Sequence, residues 1–514
     1  MSLSTWFVPE IVSVVIFGTI ALYVYYKFFI FNFWRKKGVF YMEPTFPTGN
    51  ITALIFGTKS QADYVKDIYD RNKKHRAFGI YMFQKPFLVV NDPSLIRIVL
   101  TKDFMNFHDR GVFCNEKTDP LSGQLFQLPG KKWRTLRVKL TPTFTSGKIK
   151  TMFFILKESA DRLGKFLDEQ GKIRGIIDVK DVYGKYSIDI IMSAAFGINV
   201  NSFRDPNNEF NYWGKKVFEP NIFWNAIVIW APHILDKLSM PFTDRGVSNF
   251  FIKMFEDTVN YRDANNIERK DFLNLLMQLM KNGYVDVDED SDEKDVTKKT
   301  ETKLTMLEAA AQAYVFYLAG FETSSTTVTF CLYELAKHQD MQDKLREEIR
   351  TVIQKHGELT YDAVNEMTYL HKVISETLRK YPPLVMLNRI CTEEIQIETT
   401  DIRIPTGTSV MIPVYGLHRD PDIYPDPDKF DPERFSEENI KTRHPYAYLP
   451  FGEGPRICIG LRFGLIQSKV AIISSLLRSK FKLAPNTPTT LEMKEGSLVL
   501  MAKGGVHLTI EPVQ

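Results

Sequence analysis

The sequence predicts a mainly α protein with small antiparallel β-sheets, preceded by one N-terminal transmembrane helix. Three observations lead there. Phe7 to Trp34 is apolar apart from Glu10 and Lys27, with aromatics near both ends. Leu304 to His338 has almost no polar face, the pattern of a helix buried on all sides in a large protein. Glu394 to Pro413 alternates with period two, through Ile395 and Ile397, Ile402 and Ile404, Val410 and Ile412, which marks short strands. At 514 residues and 44% hydrophobic, the chain is ample for a large core. A net charge of +4, from 66 basic and 62 acidic residues, is no nucleic-acid signature. Cys114, Cys331, Cys391 and Cys458 are widely spaced, with no Cys-x-x-Cys pair. That argues against a zinc site or a disulfide framework and favours a reducing compartment.

The N-terminal run reads as a signal-anchor over residues 1–34. Val8 to Tyr26 alone spans roughly 30 Å at about 1.5 Å per residue. Arg35-Lys36-Lys37 follows at once, which places that end in the cytosol. A cleaved signal peptide carries its positive charge before the apolar run, and here the charge comes after it. Residues 35–50, basic and then proline-containing at Pro44 and Pro47, read as a stiff hinge. Residues 51–514 form the body. The Asn50-Ile51-Thr52 sequon stays on the cytosolic side and goes unused.

Along the body, Phe87 to Val90 is a short strand, closed by Asn91-Asp92-Pro93, which turns into a helix. Phe107 to Leu128 has no period and reads as a loop. A helix begins near Lys131 and carries Trp133-x-x-x-Arg137 on one face. An indole N–H beside a guanidinium suits a carboxylate; a surface arginine stacked on tryptophan gives the same pattern. Glu219 to Phe242 is apolar and aromatic, interrupted by Pro220, Pro232 and Pro241. It is either a buried helix or a loop dipping into the membrane. Val285 to Lys303 is a charged, solvated connector.

The Leu304–His338 helix runs roughly 50 Å. In its centre lies Ala319-Gly320-Phe321-Glu322-Thr323. Gly320 weakens the helix, and the Thr323 hydroxyl can bend it by bonding a carbonyl one turn back. A buried acid beside a hydroxyl suits a proton relay; a threonine bonded only within its own helix is the alternative. Asp362 to Lys380 reads as a further helix with Glu376-x-x-Arg379, and Asp431-Pro-Glu-Arg434-Phe435 supplies a second arginine. His418 reads as a hydrogen-bonded structural residue.

The stretch Pro450-Phe-Gly-Glu-Gly-Pro-Arg-Ile-Cys-Ile-Gly460 holds Cys458 behind Gly452, Gly454 and Arg456. Gly452, Gly454 and Gly460 permit a tight turn with positive φ. Exposed amides and Arg456 favour a thiolate, the form a soft metal ligand takes. The helix Leu461 to Leu477 would point its N-terminal dipole at that sulfur. A small buried hydrophobe is the plainer reading of a free cysteine. A dinucleotide loop fails, because Ile457 stands where a third glycine is needed.

This stretch resembles the haem-binding loop of the cytochrome P450 superfamily through Phe451, Gly454, Arg456, Cys458 and Gly460. Trp133-x-x-x-Arg137, Ala319 to Thr323, Glu376-x-x-Arg379 with Pro432-Glu-Arg434-Phe435, and Pro142-Thr-Phe-Thr-Ser-Gly147 match in the family's order. The wording looks most like the insect microsomal detoxification family related to vertebrate steroid and drug hydroxylases. The resemblance implies the P450 haem-thiolate fold over 51–514, with haem b as cofactor and Cys458 as its axial ligand. It assigns Phe451 to the haem loop and Arg110, Trp133, Arg137, Arg389 and Arg456 to the propionates. Glu322 and Thr323 would bring protons to dioxygen, and Glu376, Arg379 and Arg434 would form a structural network. The implied activity is insertion of one oxygen atom from O2 into small apolar substrates: plant toxins, insecticides, or endogenous lipids and hormones. Electrons would come from NADPH through cytochrome P450 reductase, with cytochrome b5 as a second donor. The implied location is the endoplasmic reticulum membrane, single-pass, in contact with lipid, catalytic domain cytosolic. Phe113, Phe126, Phe316, Ala319, Leu384 and Leu387 are pocket walls on this reading, or ordinary core. A haem-thiolate isomerase or dehydratase, and a non-enzymatic haem-binding membrane protein, are the alternatives; Glu322 and Thr323 argue for the oxygenase. Glu43-Pro44-Thr-Phe-Pro47 is looser than the family's proline run.

Overall fold

The computed structural model describes residues 7–217, 235, 237–285, 303–398 and 400–513. Most of Glu219–Phe242 and of Val285–Lys303 lies outside the described residues. The core is built on the central helix Met306–Lys337. It starts with a capping box: the Glu308 amide donates to Thr305 Oγ1 (3.2 Å) and the Thr305 amide to Glu308 Oε2 (2.8 Å). Val179–Ala195, almost wholly buried, and Leu461–Arg478, buried along most of its length, lie against it. Tyr183 and Ser475 join these two helices through their hydroxyls at 2.5 Å.

The sheets are small, and one of them is mixed. Its strand order is Ala77–Met82, Lys85–Val90, Ser409–Ile412, Leu387–Ile390. Lys85–Val90 and Ser409–Ile412 run parallel, which corrects the all-antiparallel expectation. These two strands are far apart in the chain, and the helices between them supply the crossover that parallel pairing needs. Ile395–Gln396 and Arg403–Ile404 form the antiparallel pair that the alternation predicted. A third, antiparallel sheet joins Ile176–Asp178, His507–Pro512 and Ser479–Leu483.

The helix predicted over Asp362–Lys380 is two, Tyr361–Glu366 and Thr368–Lys380. The break at Met367 is stabilised by the Glu348 carboxylate, which accepts the amides of Tyr369 (2.7 Å) and Leu370 (2.9 Å). A carboxylate at those otherwise unpaired amides restarts the helix.

At the N-terminus, the helix Phe7–Tyr25 continues through a π turn to Ile30. Val12–Lys36 is long and apolar enough to cross a membrane, with a mean hydropathy of 1.9 and outward side chains such as Phe17. The end of the anchor segment and the stretch expected to act as a hinge are both docked. Trp34 is fully buried, its indole donates to Ile80 O (3.2 Å), and its amide donates to the Tyr81 hydroxyl (3.0 Å). Gly79 makes room: a Cβ there would lie 2.3 Å from the indole. Asn50 accepts the Tyr81 amide (2.7 Å) and donates to Glu43 O (3.0 Å), so the sequon amide is occupied in tying this segment to the sheet.

Candidate active site

The cysteine loop is a tight turn held from both ends. The Cys458 amide donates to Phe451 O at 2.9 Å. Gly452 and Gly454 have φ of +72° and +76°. A Cβ on Gly454 would lie 2.0 Å from the Leu100 carbonyl oxygen, so only glycine fits. Gly460 corrects the expectation: its φ is −88°. Its amide donates toward the Cys458 sulfur, and a Cβ there would enter open space. Gly460 is therefore not required for the turn's backbone angles.

Cys458 is surface-accessible yet enclosed by protein, so it faces an internal recess. The central helix opens on the interior too: Ala319 is exposed midway along a largely buried helix, and Thr323 is half-buried. Phe316 against Phe463 (5.3 Å between ring centroids) and Gln467 Nε2 donating to Gly320 O (3.3 Å) set that opening beside the first turns after Cys458.

Four guanidiniums converge on the loop. Arg110 donates to Phe126 O (3.2 Å) and Arg456 O (3.1 Å), and Arg137 donates to Ile457 O (2.9 Å). Arg456 donates to Leu128 O (2.8 Å), and Arg389 to Asn388 O (2.8 Å). The guanidinium stacked on Trp133 is that of Arg456, 4.1 Å from the ring centroid, not Arg137. The carboxylate paired with Arg456 is that of Asp109, at 3.4 Å and already accepting the Gly130 amide. Burial, then mutual repulsion, pushes Arg110 and Arg456 down to about 9 and Arg389 to about 10. Arg389 Nε and Arg456 Nε and Nη1 are buried without a hydrogen-bond partner. Unpaired buried donors on crowded cations are costly, and a bound dianion relieves both costs. A haem with two propionates and an iron at the sulfur fits this donor set.

The expected preset thiolate is corrected in one respect. Burial pushes the Cys458 thiol up, against the Gly460 amide, Arg110 and Arg137, which lower it. The sulfur becomes a thiolate when a metal takes the proton's place.

On the central helix, five successive carbonyls take a side-chain donor. Thr323 Oγ1 donates to Ala319 O (2.6 Å), Gln467 to Gly320 O, and Ser325 Oγ to Phe321 O (2.8 Å). Lys180 Nζ donates to Glu322 O (2.9 Å) and Thr327 Oγ1 to Thr323 O (2.9 Å). Glu322 is buried and paired with Lys180 (Nζ to Oε1 3.0 Å) on the Val179–Ala195 side. Sequence reasoning missed Lys180 and Gln467. The hydroxyl run Thr323-Ser-Ser-Thr-Thr327 inside a buried helix was the available signal that partners must exist.

The Glu376 carboxylate accepts Arg379 Nε (2.7 Å) and Nη2 (2.8 Å) and the Asp431 amide (3.0 Å), with Arg434 Nε at 3.5 Å. Arg379 also donates to His418 O (2.9 Å). His418 bonds Arg379 O through Nδ1 (3.2 Å) and accepts the Leu449 amide at Nε2 (2.8 Å). The network thus reaches the residue before Pro450. Among the expected pocket walls, Phe316 is corrected to core: Phe144, Phe272 and Phe463 surround it at 5.5, 4.7 and 5.3 Å. Phe113 is buried, its ring 6.3 Å from that of Phe242; Phe126 lies under Arg110; Leu384 is exposed; and Leu387 covers Gly452.

Residues 44–509 match the family model described as Cytochrome P450. The chain is 41% identical over 512 residues to the probable cytochrome P450 6a20 of Drosophila melanogaster, covering 98% of this chain and 100% of that one. It is 40% identical over 499 residues to cytochrome P450 6k1 of Blattella germanica, covering 95% and 94%. With cytochrome P450 6A1 of Musca domestica it shares 37% over 506 residues, covering 96% of each. Matches that run nearly end to end, on a chain whose cysteine lies beside four converging guanidiniums, carry one conclusion: this chain belongs to the cytochrome P450 family and is a haem-thiolate monooxygenase.

Proposed function

We propose that this protein inserts one oxygen atom from O2 into small apolar molecules at the endoplasmic reticulum membrane. The substrates are xenobiotics such as plant toxins or insecticides, or endogenous lipids and hormones. Electrons come from NADPH through a separate cytochrome P450 reductase, with cytochrome b5 as a second donor. The observation that carries the reading is the enclosed Cys458 beside four guanidiniums, two of which, Arg389 and Arg456, keep buried N–H groups without a partner.

The cofactor is haem b, held by Cys458 Sγ, with Arg110, Arg137, Arg389 and Arg456 at the propionates and Trp133 and Phe451 packing beside it. Bound there, haem iron supplies dioxygen activation, which thiolate ligation favours. Thr323 keeps its proton on Oγ1, donating to Ala319 O, and its lone pairs accept from water on the recess side. Glu322 feeds protons toward that water. Phe113, Phe126, Ala319, Leu384 and Leu387 line the substrate's side and exclude bulk water. Residues 1–34 form the anchor segment, whose last residue, Trp34, is already seated in the body; 35–50 continue into it, and 51–514 form the catalytic domain. The basic Arg35–Lys37 cluster supports a cytosolic body.

The test is product formed per NADPH in Thr323→Ala, with peroxide counted alongside. Haem and substrate binding should survive while electrons leak to peroxide. Unchanged coupling would sink the Thr323 assignment, and turnover without dioxygen would favour an isomerase.

A further inference from the structure

We propose that Asp109 is a positioning residue for the haem site: it ties together the segments that carry the four guanidiniums, and its charge offsets part of theirs. The inference rests on the reading of those guanidiniums as the propionate site.

Asp109 directly precedes Arg110, in a loop without periodic pattern. Its bonds leave that loop in three directions, one to each segment that carries another of the four. Oδ1 accepts the Gly130 amide (2.7 Å), at the start of the helix Gly130–Leu140 that bears Trp133 and Arg137. Its carbonyl accepts the Ile390 amide (2.8 Å), next to Arg389, and this bridge adds the loop to the edge of the mixed sheet. Oδ1 also lies 3.4 Å from Arg456 Nη2, in the cysteine loop.

The bond to Gly130 answers a local need. The residue before that helix is Pro129, and the helix has no side-chain cap of its own. An unpaired amide at the positive end of a helix favours a carboxylate, and Asp109 supplies it from outside the helix.

The electrostatics point the same way. Four guanidiniums facing a dianion leave positive charge in excess. Among the described residues, Asp109 is the only carboxylate within ion-pair distance of any of the four. Burial first, then Arg110 and Arg137, push the Arg456 guanidinium down, and Asp109 opposes them. The contact at 3.4 Å is longer than a charge-assisted hydrogen bond of about 2.7–2.9 Å. Asp109 therefore offsets charge without taking up Arg456 Nε and Nη1, the donors left for a propionate. Its side chain is 20% exposed, with His108 Nδ1 at 2.7 Å on Oδ1, so the carboxylate stands at the rim of the cluster. A negative charge held there disfavours the added electron of reduced haem, by Coulomb's law.

The test uses the full-length, membrane-bound protein loaded with haem. The readouts are the haem reduction potential without substrate and the half-life of haem transfer to excess apomyoglobin. Asp109→Asn keeps an oxygen for the Gly130 amide and removes the charge, so the potential should shift positive while the half-life stays near native. Asp109→Ala removes both, so haem should also leave several-fold faster. In a His108→Gln background Asp109→Asn should give the same positive shift, which separates Asp109 from its titratable neighbour. A native potential in Asp109→Asn, or native haem retention in Asp109→Ala, would overturn the proposal. If the alanine variant does not load haem, the potential of Asp109→Asn decides. Arg456→Gln tests the reading beneath and should shed haem faster than the native protein. Faster loss there beside a native potential in Asp109→Asn would remove the proposal alone; native retention there would remove the propionate reading and the proposal with it.

Discussion

Acid should loosen this protein through His418, and the size of the effect follows from its surroundings. The imidazole is fully buried, with both nitrogens committed to Arg379 O and the Leu449 amide. The second bond requires an unprotonated Nε2. Burial first, then the guanidinium of Arg379, pushes the group down to about 3. An unfolded histidine titrates near 6.5. The folded state therefore binds fewer protons between those values, so this contribution is present above about 6.5 and is lost as pH falls toward 3. Acidification from pH 7 to pH 5 should cost about 2 kcal/mol through this one group. His418→Gln keeps an acceptor and a donor but does not titrate. The assay is the melting midpoint of the haem-loaded protein against pH, native beside variant. The native protein should lose stability on the acid side more steeply than His418→Gln. Parallel curves would refute the reasoning, because some other group would then carry the acid sensitivity.

Three further perturbations have expected outcomes. Glu376→Gln leaves Arg379 and Arg434 facing an uncharged amide and should destabilise by about 3–5 kcal/mol, shortening the half-life of the haem-loaded form. An unchanged half-life would contradict the network. Arg137→Ala should lower haem retention more than Arg137→Lys does, with the Soret type unaltered in both; equal haem content would reduce Arg137 to a brace for Ile457 O. Deleting residues 1–34 should cost about 3–5 kcal/mol more than deleting 1–30, because only the longer cut removes buried Trp34. Equal melting midpoints would mean that the sheet does not need the indole.

The patterned parts of the chain were readable, and the partnered parts were not. The central helix declared itself by lacking a polar face, and its observed bounds, Met306–Lys337, lie within two residues of the expected ends. The strand Ala77–Met82 left no comparable signal, since every residue in it is buried and no alternation shows. Parallel pairing of Lys85–Val90 with Ser409–Ile412 depends on a contact made across more than 300 intervening residues, which no local pattern encodes. The same limit applies at the site. Cys458, Arg456 and Gly454 are neighbours in sequence and were found together. Lys180 and Gln467 reach Glu322 and Gly320 from other helices, and nothing in their own surroundings marks them. Gly460 differs from Gly452 and Gly454 although a sequence writes all three alike: its φ of −88° is one that any residue can adopt. Trp34 was counted with the anchor because a tryptophan at the end of an apolar run suits a membrane interface as well as a core.

The most direct test of the central claim is the ferrous–CO spectrum of Cys458→Ala beside the native protein. The sulfur's accessible position inside the recess, the four guanidiniums around the loop and the unpaired N–H groups of Arg389 and Arg456 predict a thiolate-type Soret band in the native protein and none in the variant. A Cys458→Ala protein that keeps the thiolate-type band would mean that another residue holds the iron, and the account built on this loop would be wrong.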